Sequence, residues 1–429
     1  MNLANTAHFS SADWLDYIQA LHPKTIAMGL ERVNEVALRL NLNPDFPIIT
    51  VAGTNGKGST CAMLNAIYTR AGYQVGCYTS PHLIIYNERV RVNNINISNE
   101  DLCKAFSAVE HARQDVALTY FEIGTLAAMW HFCQLPLDLV ILEVGLGGRL
   151  DAVNLFEPSC AIVTCIDIDH IDYLGDTREK IGLEKAGVFR HNKPAICGDI
   201  DPPQSLINHA IKIGADLQLI DQDFKLIKNA ENWQYYEDGL SINLPKLAMS
   251  GDFQLNNATC AIRAVQSLQF LLKVSNTRIT QALQQVQLIG RFYQISSDPI
   301  IIIDVAHNLQ AAVSLADNLT LIPCAGKTHA VFAMLADKDI AGVVNALLAQ
   351  IHSWHVAPIT SARGANASEL ERILLKSVQK KDVHAYSNVT FALQGACKMI
   401  GKNDRIIVFG SFYTVADAIS AIANADFNS

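Results

Sequence analysis

The sequence contains no pair of cysteines in a C-x-x-C arrangement, although it has ten cysteines spread from Cys61 to Cys397. Such spacing is typical of structural zinc sites and of dense disulfide frameworks, so its absence argues against both. The ten cysteines are therefore predicted to be reduced thiols that serve as small core residues in a cytoplasmic protein.

Long apolar runs and an excess of positive charge are also missing. No apolar run approaches the roughly 20 residues that a membrane-spanning helix needs. The first residues lack a basic segment followed by a continuous apolar one, so we expect no secretion signal. The formal net charge of −8 argues against broad electrostatic binding to nucleic acid or to an acidic membrane. It does not exclude an anionic small substrate, because local basic residues govern that.

The composition is that of a well-packed globular protein of more than one domain. Half of the 429 residues are apolar and 17% are charged, which argues against disorder. A chain of this length exceeds one ordinary hydrophobic core, so two or three domains are expected.

The first part of the chain alternates strand-like and helix-like patterns. Strand-like segments occupy 47–51 and 74–78, and the continuous apolar runs at 137–144 and 160–166 are typical of parallel strands that are covered on both faces. Apolar residues with helical spacing occupy 59–70, and Gly72 marks the end of that helix. This βαβ order predicts a doubly wound α/β domain over residues 1–287.

A second α/β pattern begins late in the chain. Strand-like runs occupy 300–303, 328–334 and 405–409, with helical patterns over 340–351 and 368–378 between them. We expect a smaller, Rossmann-like α/β domain over 300–429. Glycine, serine and proline interrupt both patterns near 288–299, which is predicted to be the linker.

The glycine-rich segment GTNGKGS, residues 53–59, directly follows a predicted strand and precedes a predicted helix. Glycines there let backbone N–H groups approach phosphates, and the helix directs its positive end at them. Lys57 would neutralise phosphate charge, and the hydroxyl of Ser59 or Thr60 could face a metal ion. Gly58 separates the lysine from the hydroxyl, unlike in the common P-loop spacing. The alternative is a glycine-rich turn with a chance lysine.

Polar residues at the ends of other predicted strands are candidates for the same site. Glu143 follows a buried strand, where a carboxylate can hold Mg²⁺ beside a P-loop; the alternative is an ion pair with Arg149. His170 and its neighbouring aspartates suit a metal or general-base role, or a surface turn. The cluster from Asp304 to His307 suits a site, or an Asx turn that caps the next helix.

The motifs of this chain, taken in order, resemble those of the folate-specific branch of the Mur ligase superfamily, the dihydrofolate synthases/folylpolyglutamate synthases. The resemblance covers nearly the whole chain. It rests on GTNGKGS at 53–59, TSPHL at 79–83, FEIGT at 121–125, EVGLGGRLDAVN at 143–154, DH at 169–170, EKAG at 184–187, GRF at 290–292, DVAHN at 304–308 and GSF at 410–412.

This resemblance implies an ATP-dependent ligase that forms an amide with the amino group of L-glutamate and releases ADP and phosphate. The acceptors would be dihydropteroate and reduced folates, the reaction would pass through an acyl phosphate, and two Mg²⁺ ions are expected. We expect a monomer. Alternatives are a folylpolyglutamate synthase without dihydrofolate synthase activity, a peptidoglycan-precursor ligase, and a P-loop switch that hydrolyses ATP without ligation.

The resemblance also assigns roles by position. Lys57, Lys185 and His307 would be catalytic, and Lys185 matches a lysine that the family carbamylates, although spacing alone predicts a helix-surface lysine. The remaining roles fall into three sets, in which Asn256 is an alternative to Asn257. The nucleotide set is Thr54, Asn55, Gly56, Lys57, Gly58, Ser59, Asn257, Arg291 and Asp304; the metal set is Ser80, Glu143 and His170; the pterin set is Ala27, Met28, Gly29, Phe121, Leu150, Asp151 and Ala152.

One position departs from the family pattern. Relatives often carry aspartate where this chain has Ala27, at the start of Ala27-Met28-Gly29-Leu30-Glu31-Arg32. The missing carboxylate affects the expected pterin contact and leaves the ligase chemistry unaffected.

Overall fold

The computed structural model describes residues 8–22, 26–229, 232–322, 324–361 and 363–424. The chain divides into two compact units. The first comprises Met1–Leu247 and Leu255–Val286, and the second comprises Ala248–Gln254 and Gln287–Ser429. Among the helices of the described ranges, none has the length and apolar character that crossing a membrane requires.

Within the described residues, the first unit contains an eight-stranded sheet and a separate three-stranded one. The large sheet has the order β4-β3-β2-β5-β1-β6-β7-β8, and the small one has the order β11-β10-β9. The strands are β1 Ile48–Ala52, β2 Val75–Tyr78, β3 Val90–Val92, β4 Ile95–Asn96, β5 Leu139–Glu143, β6 Cys160–Val163, β7 Pro194–Cys197, β8 Asp216–Leu219, β9 Phe224–Lys228, β10 Asn232–Glu237 and β11 Leu240–Pro245.

The pairing within the large sheet explains the apolar runs of the sequence. From β2 to β8 all neighbouring strands are parallel, and β3 and β4 extend one edge in antiparallel fashion. Every residue of β1, β5 and β6 is buried. Strands covered on both faces have no polar side to present, which is why these segments are continuous apolar runs.

Helices pack around these strands, and several begin at side-chain caps. Thr119 accepts a hydrogen bond from the Glu122 N–H, and Glu122 in turn accepts from the Thr119 N–H, which fixes the start of one of them. The helices of this unit are α1 Ser11–Ala20, α2 Glu31–Arg39, α3 Lys57–Ala71, α4 Asn99–Arg113, α5 Tyr120–Phe132, α6 Ile171–Leu174, α7 Arg178–Ala186, α8 Gln204–Ile213, α9 Asp252–Ser267, whose first residues cluster with the second unit, and α10 Asn276–Leu283.

The described part of the second unit is built on a six-stranded sheet of order β12-β13-β17-β14-β15-β16, parallel except for the β12–β13 pair. Its elements are β12 Tyr293–Ser297, β13 Ile300–Ile303, α11 Leu309–Leu321, β14 Thr328–Phe332, α12 Ile340–Leu347, β15 Ser353–Val356, α13 Ala367–Leu374, β16 Val383–Ala385, α14 Val389–Met399, β17 Arg405–Phe409 and α15 Phe412–Asn424. The predicted α/β class of both parts of the chain is confirmed.

The predicted linker, 288–299, is wrong over most of its length. Tyr293–Ser297 forms β12 and pairs with Ile300–Ile303 as the edge of the second sheet. Pro299 lies with Asp298 in the hairpin turn between these two strands, whereas Ser296 and Ser297, which also suggested a linker, belong to β12 itself. Ala248–Gln254 also clusters with the second unit, which the sequence patterns did not indicate.

The order of the large sheet determines where polar residues meet. Strands β2, β5, β1 and β6 are consecutive neighbours and run parallel. Their carboxyl ends therefore lie along one edge, and the segments that follow them share that edge.

Candidate active site

The glycine-rich segment 53–59 forms the turn between β1 and α3. Gly53 and Gly56 have φ angles of 147° and 87°, which side-chain-bearing residues rarely adopt. Gly56 stands at the N-cap of α3, a helix of 15 residues. The positive end of α3, with the first N–H groups of the helix, therefore faces the loop, as phosphate binding requires.

Lys57 is held against the loop that it follows. Its ammonium donates to the carbonyl oxygens of Gly53 at 2.9 Å and Thr54 at 3.1 Å. Asn257, from α9, also lies at the loop, because a side chain at Gly56 would collide with the Asn257 amide. The structure thus brings Asn257, as predicted, to the phosphate-binding loop.

A segment that the sequence did not single out supports the loop from the other side. After β6, the Cys165 carbonyl accepts from the Thr54 N–H at 2.8 Å. The Thr164 hydroxyl donates to the Asn55 carbonyl at 2.6 Å. The Thr54 hydroxyl donates to the Asp167 carbonyl at 3.1 Å. In the sequence this segment was recognisable only as the end of an apolar run. Its contacts with the loop depend on the pairing of β6 with β1, which the sequence patterns did not predict.

Ser80 and Glu143 meet at the ends of β2 and β5. The Ser80 N–H donates to Glu143 Oε2 at 3.0 Å, and Glu143 is buried. Arg149, the alternative partner for Glu143, forms an ion pair with Glu184 at 2.8 Å. His170 follows β6 at the N-cap of α6, in the left-handed region with a φ of 53°.

Two of these residues, Ser80 and Glu143, suit a Mg²⁺ ion, and His170 follows β6 on the same edge of the sheet. Among the described residues, no group of three or more His, Cys, Asp or Glu side chains could hold a metal ion. Mg²⁺ does not need one, since it keeps several waters and takes one or two carboxylates beside substrate phosphates. A buried carboxylate with an adjacent serine, on the sheet edge that carries the phosphate-binding loop, fits that pattern.

Lys185 is buried, so the helix-surface reading is wrong. It lies in the last turn of α7 with 3% of its surface exposed. Burial, together with the nearby charge of Lys57, lowers the pKa of its amine to about 7, although Asp169 and Asp151 favour the charged form. A substantial share of this amine is therefore uncharged at neutral pH, and only an uncharged amine is a nucleophile.

The predicted pterin residues converge beyond the end of β5. A side chain at Gly145 would collide with the Phe121 ring, and one at Gly147 would lie 3.7 Å from the Met28 methyl group. Asp151 accepts from the N–H groups of Leu146 and Val153 at 2.8 and 3.0 Å. Its burial nevertheless raises the pKa of the carboxyl group to about 7.

Arg32 ties two parts of this cluster together. Its guanidinium donates to the Ala27 carbonyl at 2.8 Å and to Glu122 at 2.7 Å. Glu122 also caps α5, the helix that carries Phe121. The sequence motif that includes Arg32 was noted, but the residue was given no role; its partner, Glu122, lies 90 positions away.

A second cluster lies within the second unit, at the end of β13. Asp304 accepts from the N–H groups of Phe292 and Ala306 at 2.7 and 2.8 Å. Burial raises the pKa of its carboxyl group to about 6, although the positive charge of Arg291 acts to lower it. The predicted residues Arg291 and Asp304 are thus neighbours. The alternative of an Asx turn that caps the next helix holds in part, since the Asp304 carboxylate accepts from an N–H two residues on, but Asn308 and not Asp304 caps that helix.

The aromatic ring of Phe412 lies near both Arg291 and His307. The Arg291 guanidinium carbon is 5.3 Å from the centre of the Phe412 ring, and the centres of the His307 and Phe412 rings are 6.5 Å apart. His307 Nδ1 donates to the Val305 carbonyl at 2.9 Å, which fixes the orientation of the ring. Asn308 caps α11 by accepting from the Ala311 N–H, so its role is structural.

Comparison with known proteins identifies the family. The sequence profile described as Mur ligase middle domain matches residues 51–265, and that described as Mur ligase, glutamate ligase domain matches residues 290–412. The dihydrofolate synthase/folylpolyglutamate synthase of Haemophilus influenzae is 41% identical over 95% of this chain and 96% of its own. The chain belongs to this family of Mur ligases. The family predicted from the motifs is therefore confirmed.

Solved structures of the family agree over nearly the whole chain. Escherichia coli FolC in complex with DHPP and ADP has a TM-score of 0.92 at 41% identity, covering 97% of this chain and 98% of its own. A bifunctional folylpolyglutamate synthase/dihydrofolate synthase with Mn, AMPPNP and L-glutamate bound has a TM-score of 0.89 at 42% identity, covering 97% and 99%.

Proposed function

We propose that this chain is an ATP- and Mg²⁺-dependent ligase that joins L-glutamate to 7,8-dihydropteroate, giving dihydrofolate, and to reduced folates, giving folylpolyglutamates. The observation that carries the proposal is the pairing of two sites on one sheet edge. The phosphate-binding loop stands at the end of β1, and the cluster of Met28, Phe121 and Asp151 stands beyond the end of the adjacent β5. Relatives bind DHPP, ADP, AMPPNP and L-glutamate.

The reaction requires activation because a carboxylate is a poor acyl donor at neutral pH. An oxygen of the substrate carboxylate attacks the γ-phosphorus of ATP, the bond to the bridging oxygen breaks, and ADP leaves. The unprotonated amine of glutamate then attacks the acyl carbon, the bond to the phosphate oxygen breaks, and inorganic phosphate leaves. The amine loses its remaining extra proton, and an amide results.

Charge in this reaction develops on the phosphoryl group, so stabilising groups must surround it. The N–H groups of 54–59 and the Lys57 ammonium would hold the phosphates. Ser80, Glu143 and His170 would hold Mg²⁺. The bound cation would neutralise phosphate oxygens and polarise the phosphoryl group.

Lys185 would act as a carbamate. Its uncharged amine adds to CO₂ and loses a proton, which replaces a cation by a carboxylate. The buried position and a pKa of about 7 support this assignment. A carboxylate there would face the Mg²⁺ region beside Lys57.

Three further residues are assigned to the nucleotide: Asn257, Arg291 and Asp304 would contact it. His307 would serve the glutamate side, where its imidazole could accept the proton of the incoming ammonium group.

The pterin ring would lie among Ala27, Met28, Gly29, Phe121 and the segment 150–152. Phe121 offers an aromatic face for stacking. Because Ala27 has no carboxylate, the carboxyl contact to the pterin would fall to Asp151, whose raised pKa allows the protonated form to donate a hydrogen bond near neutral pH.

An assay with two acceptors tests the function. Purified protein is supplied with ATP, Mg²⁺, L-glutamate and either dihydropteroate or a reduced folate, and products are separated by chromatography. We expect dihydrofolate from the first acceptor and folylpolyglutamates from the second. Product from the reduced folate alone would favour the alternative of a folylpolyglutamate synthase without dihydrofolate synthase activity.

ADP release gives a separate check on the class of protein. A ligase should release ADP only when both the acceptor and glutamate are present. Release that is indifferent to glutamate would instead support a P-loop ATPase switch.

We further infer that the enzyme works in the cytoplasm. Each of the ten cysteines lies in a described part of the chain and is a free thiol, as expected in a reducing compartment. ATP, the proposed co-substrate, is available there.

A further inference from the structure

Successive peptide groups of the phosphate-binding loop point in different directions. The N–H of Thr54 donates to the Cys165 carbonyl at 2.8 Å, and the N–H of Asn55 donates to Cys165 Sγ at 3.3 Å. The carbonyl oxygens of these same two peptide groups, from Gly53 and Thr54, accept from Lys57. Both peptide groups therefore present N–H to the segment after β6 and C=O to the lysine.

The next peptide group, between Asn55 and Gly56, is reversed. Its carbonyl oxygen points to the segment after β6, where it accepts from the Thr164 hydroxyl at 2.6 Å and, more weakly, from the Cys165 thiol at 3.3 Å. In a trans peptide group C=O and N–H point in opposite directions. The Gly56 N–H is consequently directed away from Thr164, at the N-terminus of α3.

Thr164 itself is held firmly. It is 4% exposed, its N–H donates to the Ala52 carbonyl at 2.9 Å, and a β-branched side chain has a restricted χ1 angle. A side chain at Gly53 would overlap the Thr164 hydroxyl. The glycine at position 53 thus leaves room for this hydroxyl, in addition to any approach by phosphate.

We propose that Thr164 is a positioning residue for the nucleotide: its hydroxyl reverses the Asn55–Gly56 peptide group and so turns the Gly56 N–H towards the phosphates. The inference rests on the proposed function only for the identity of the nucleotide. If Thr164 only filled space, its shape would matter and its hydroxyl would not. A substitution that keeps the shape and removes the hydroxyl therefore distinguishes a packing role from a positioning role.

The experiment compares the same substitution at two buried threonines. Thr164→Val removes the hydroxyl and keeps the shape. Thr50→Val is the matched control: Thr50 lies in β1, is fully buried, and among the described residues its hydroxyl has no hydrogen-bond partner. Thr164→Ser keeps the hydroxyl and lacks only the methyl group of threonine. Thr164→Ala also lacks the hydroxyl but is smaller than valine, so it serves if the valine variant does not fold.

The first measurement is ADP binding by calorimetry, which does not depend on ligase activity. We expect Thr164→Val, or Thr164→Ala, to raise the Kd for ADP about three- to tenfold, the effect of one lost hydrogen bond. KM for ATP should rise in parallel while KM for glutamate stays unchanged. Thr164→Ser and Thr50→Val should both remain within about twofold of wild type.

Two outcomes would overturn the proposal. In one, hydroxyl-free variants bind ADP as wild type does. In the other, Thr164→Ser is as impaired as Thr164→Val, or the KM values for ATP and glutamate rise together, as expected from a general loss of packing. Failure of wild-type protein to bind ADP would instead refute the proposed function.

Discussion

Two lysines beside the phosphate-binding loop differ in how their amines are stabilised. The Lys57 ammonium has two backbone carbonyl partners, whereas the Lys185 amine is buried and has its pKa lowered to about 7. A charged lysine can bind phosphate, and an uncharged one can react with CO₂. The two residues are therefore suited to different tasks, and a separate substitution tests each.

Lys57→Ala should abolish turnover and leave the fold intact. The ammonium is held at the loop by two of its carbonyls, so its loss removes a group that stabilises phosphoryl charge, and we expect kcat to fall at least about 100-fold. Circular dichroism and thermal unfolding would check the fold. Lys180→Ala is the control, because Lys180 is an exposed lysine of α7 that pairs with Asp176. Near-wild-type turnover by Lys57→Ala would refute the P-loop assignment.

Lys185→Ala should lose activity, and short carboxylic acids should partly restore it by supplying the missing carboxylate. Wild-type protein kept free of CO₂ should lose activity and regain it with bicarbonate. Since the amine loses its proton as pH rises through about 7, reactivation should be faster at pH 8 than at pH 6. Full activity in the alanine variant would show that Lys185 has no chemical role.

At the level of secondary-structure elements, neighbouring strands of the second sheet carry a buried chain of hydrogen bonds. Asp404, near the start of β17, contacts His329 on β14 at 3.3 Å, and His329 contacts Ser353 on β15 at 2.9 Å. Ser353 contacts His355 at 3.2 Å, which contacts Tyr386, just after β16, at 3.1 Å. One order of donors satisfies every contact: Tyr386 donates to His355, His355 to Ser353, Ser353 to His329, and His329 to the Asp404 carboxylate.

This chain of hydrogen bonds predicts that the second unit is sensitive to acid. Burial lowers the pKa of His355 to about 3, with contributions from His384 on β16 and from His329. The unfolded state, with a pKa near 6.5, therefore binds more protons between pH 6.5 and 3. Stability should be full above pH 6.5 and should fall below it by about 1.4 kcal/mol per pH unit.

Hydrogen exchange of peptides from β14 to β16, corrected for intrinsic rates, would measure this slope. His355→Phe removes the titrating group and should flatten it. A pH dependence that is identical in wild type and variant would assign the acid sensitivity to other groups.

The elements that sequence patterns predicted well are those with one dominant physical cause. The strands at 300–303 and 405–409 match the predicted bounds, because all residues except the exposed Ile300 and the charged Arg405 are both apolar and buried. The small sheet of β9, β10 and β11 was not predicted, since its strands mix exposed polar and buried apolar residues.

Long-range contacts were missed for a different reason. The bond between Thr164 and Asn55 depends on the order of strands, which no local pattern encodes.

At the level of the whole molecule, the proposed nucleotide contacts come from both units. The phosphate-binding loop and Asn257 belong to the first unit, and Arg291 and Asp304 belong to the second. If both sets contact the nucleotide, removal of a member of either set should weaken nucleotide binding by the loss of its own contacts.

Calorimetric titration with AMPPNP and Mg²⁺ tests this prediction for the second unit. Arg291→Ala should still bind the nucleotide through the phosphate-binding loop, but with a Kd about tenfold higher, because it lacks the guanidinium that lies against the Phe412 ring near Asp304. Arg372→Ala, which removes an exposed arginine of α13 in the same unit, should bind as wild type does. An unchanged Kd in Arg291→Ala would show that this guanidinium does not contact the nucleotide, and the phosphate-binding loop and Asn257 would then have to account for the affinity.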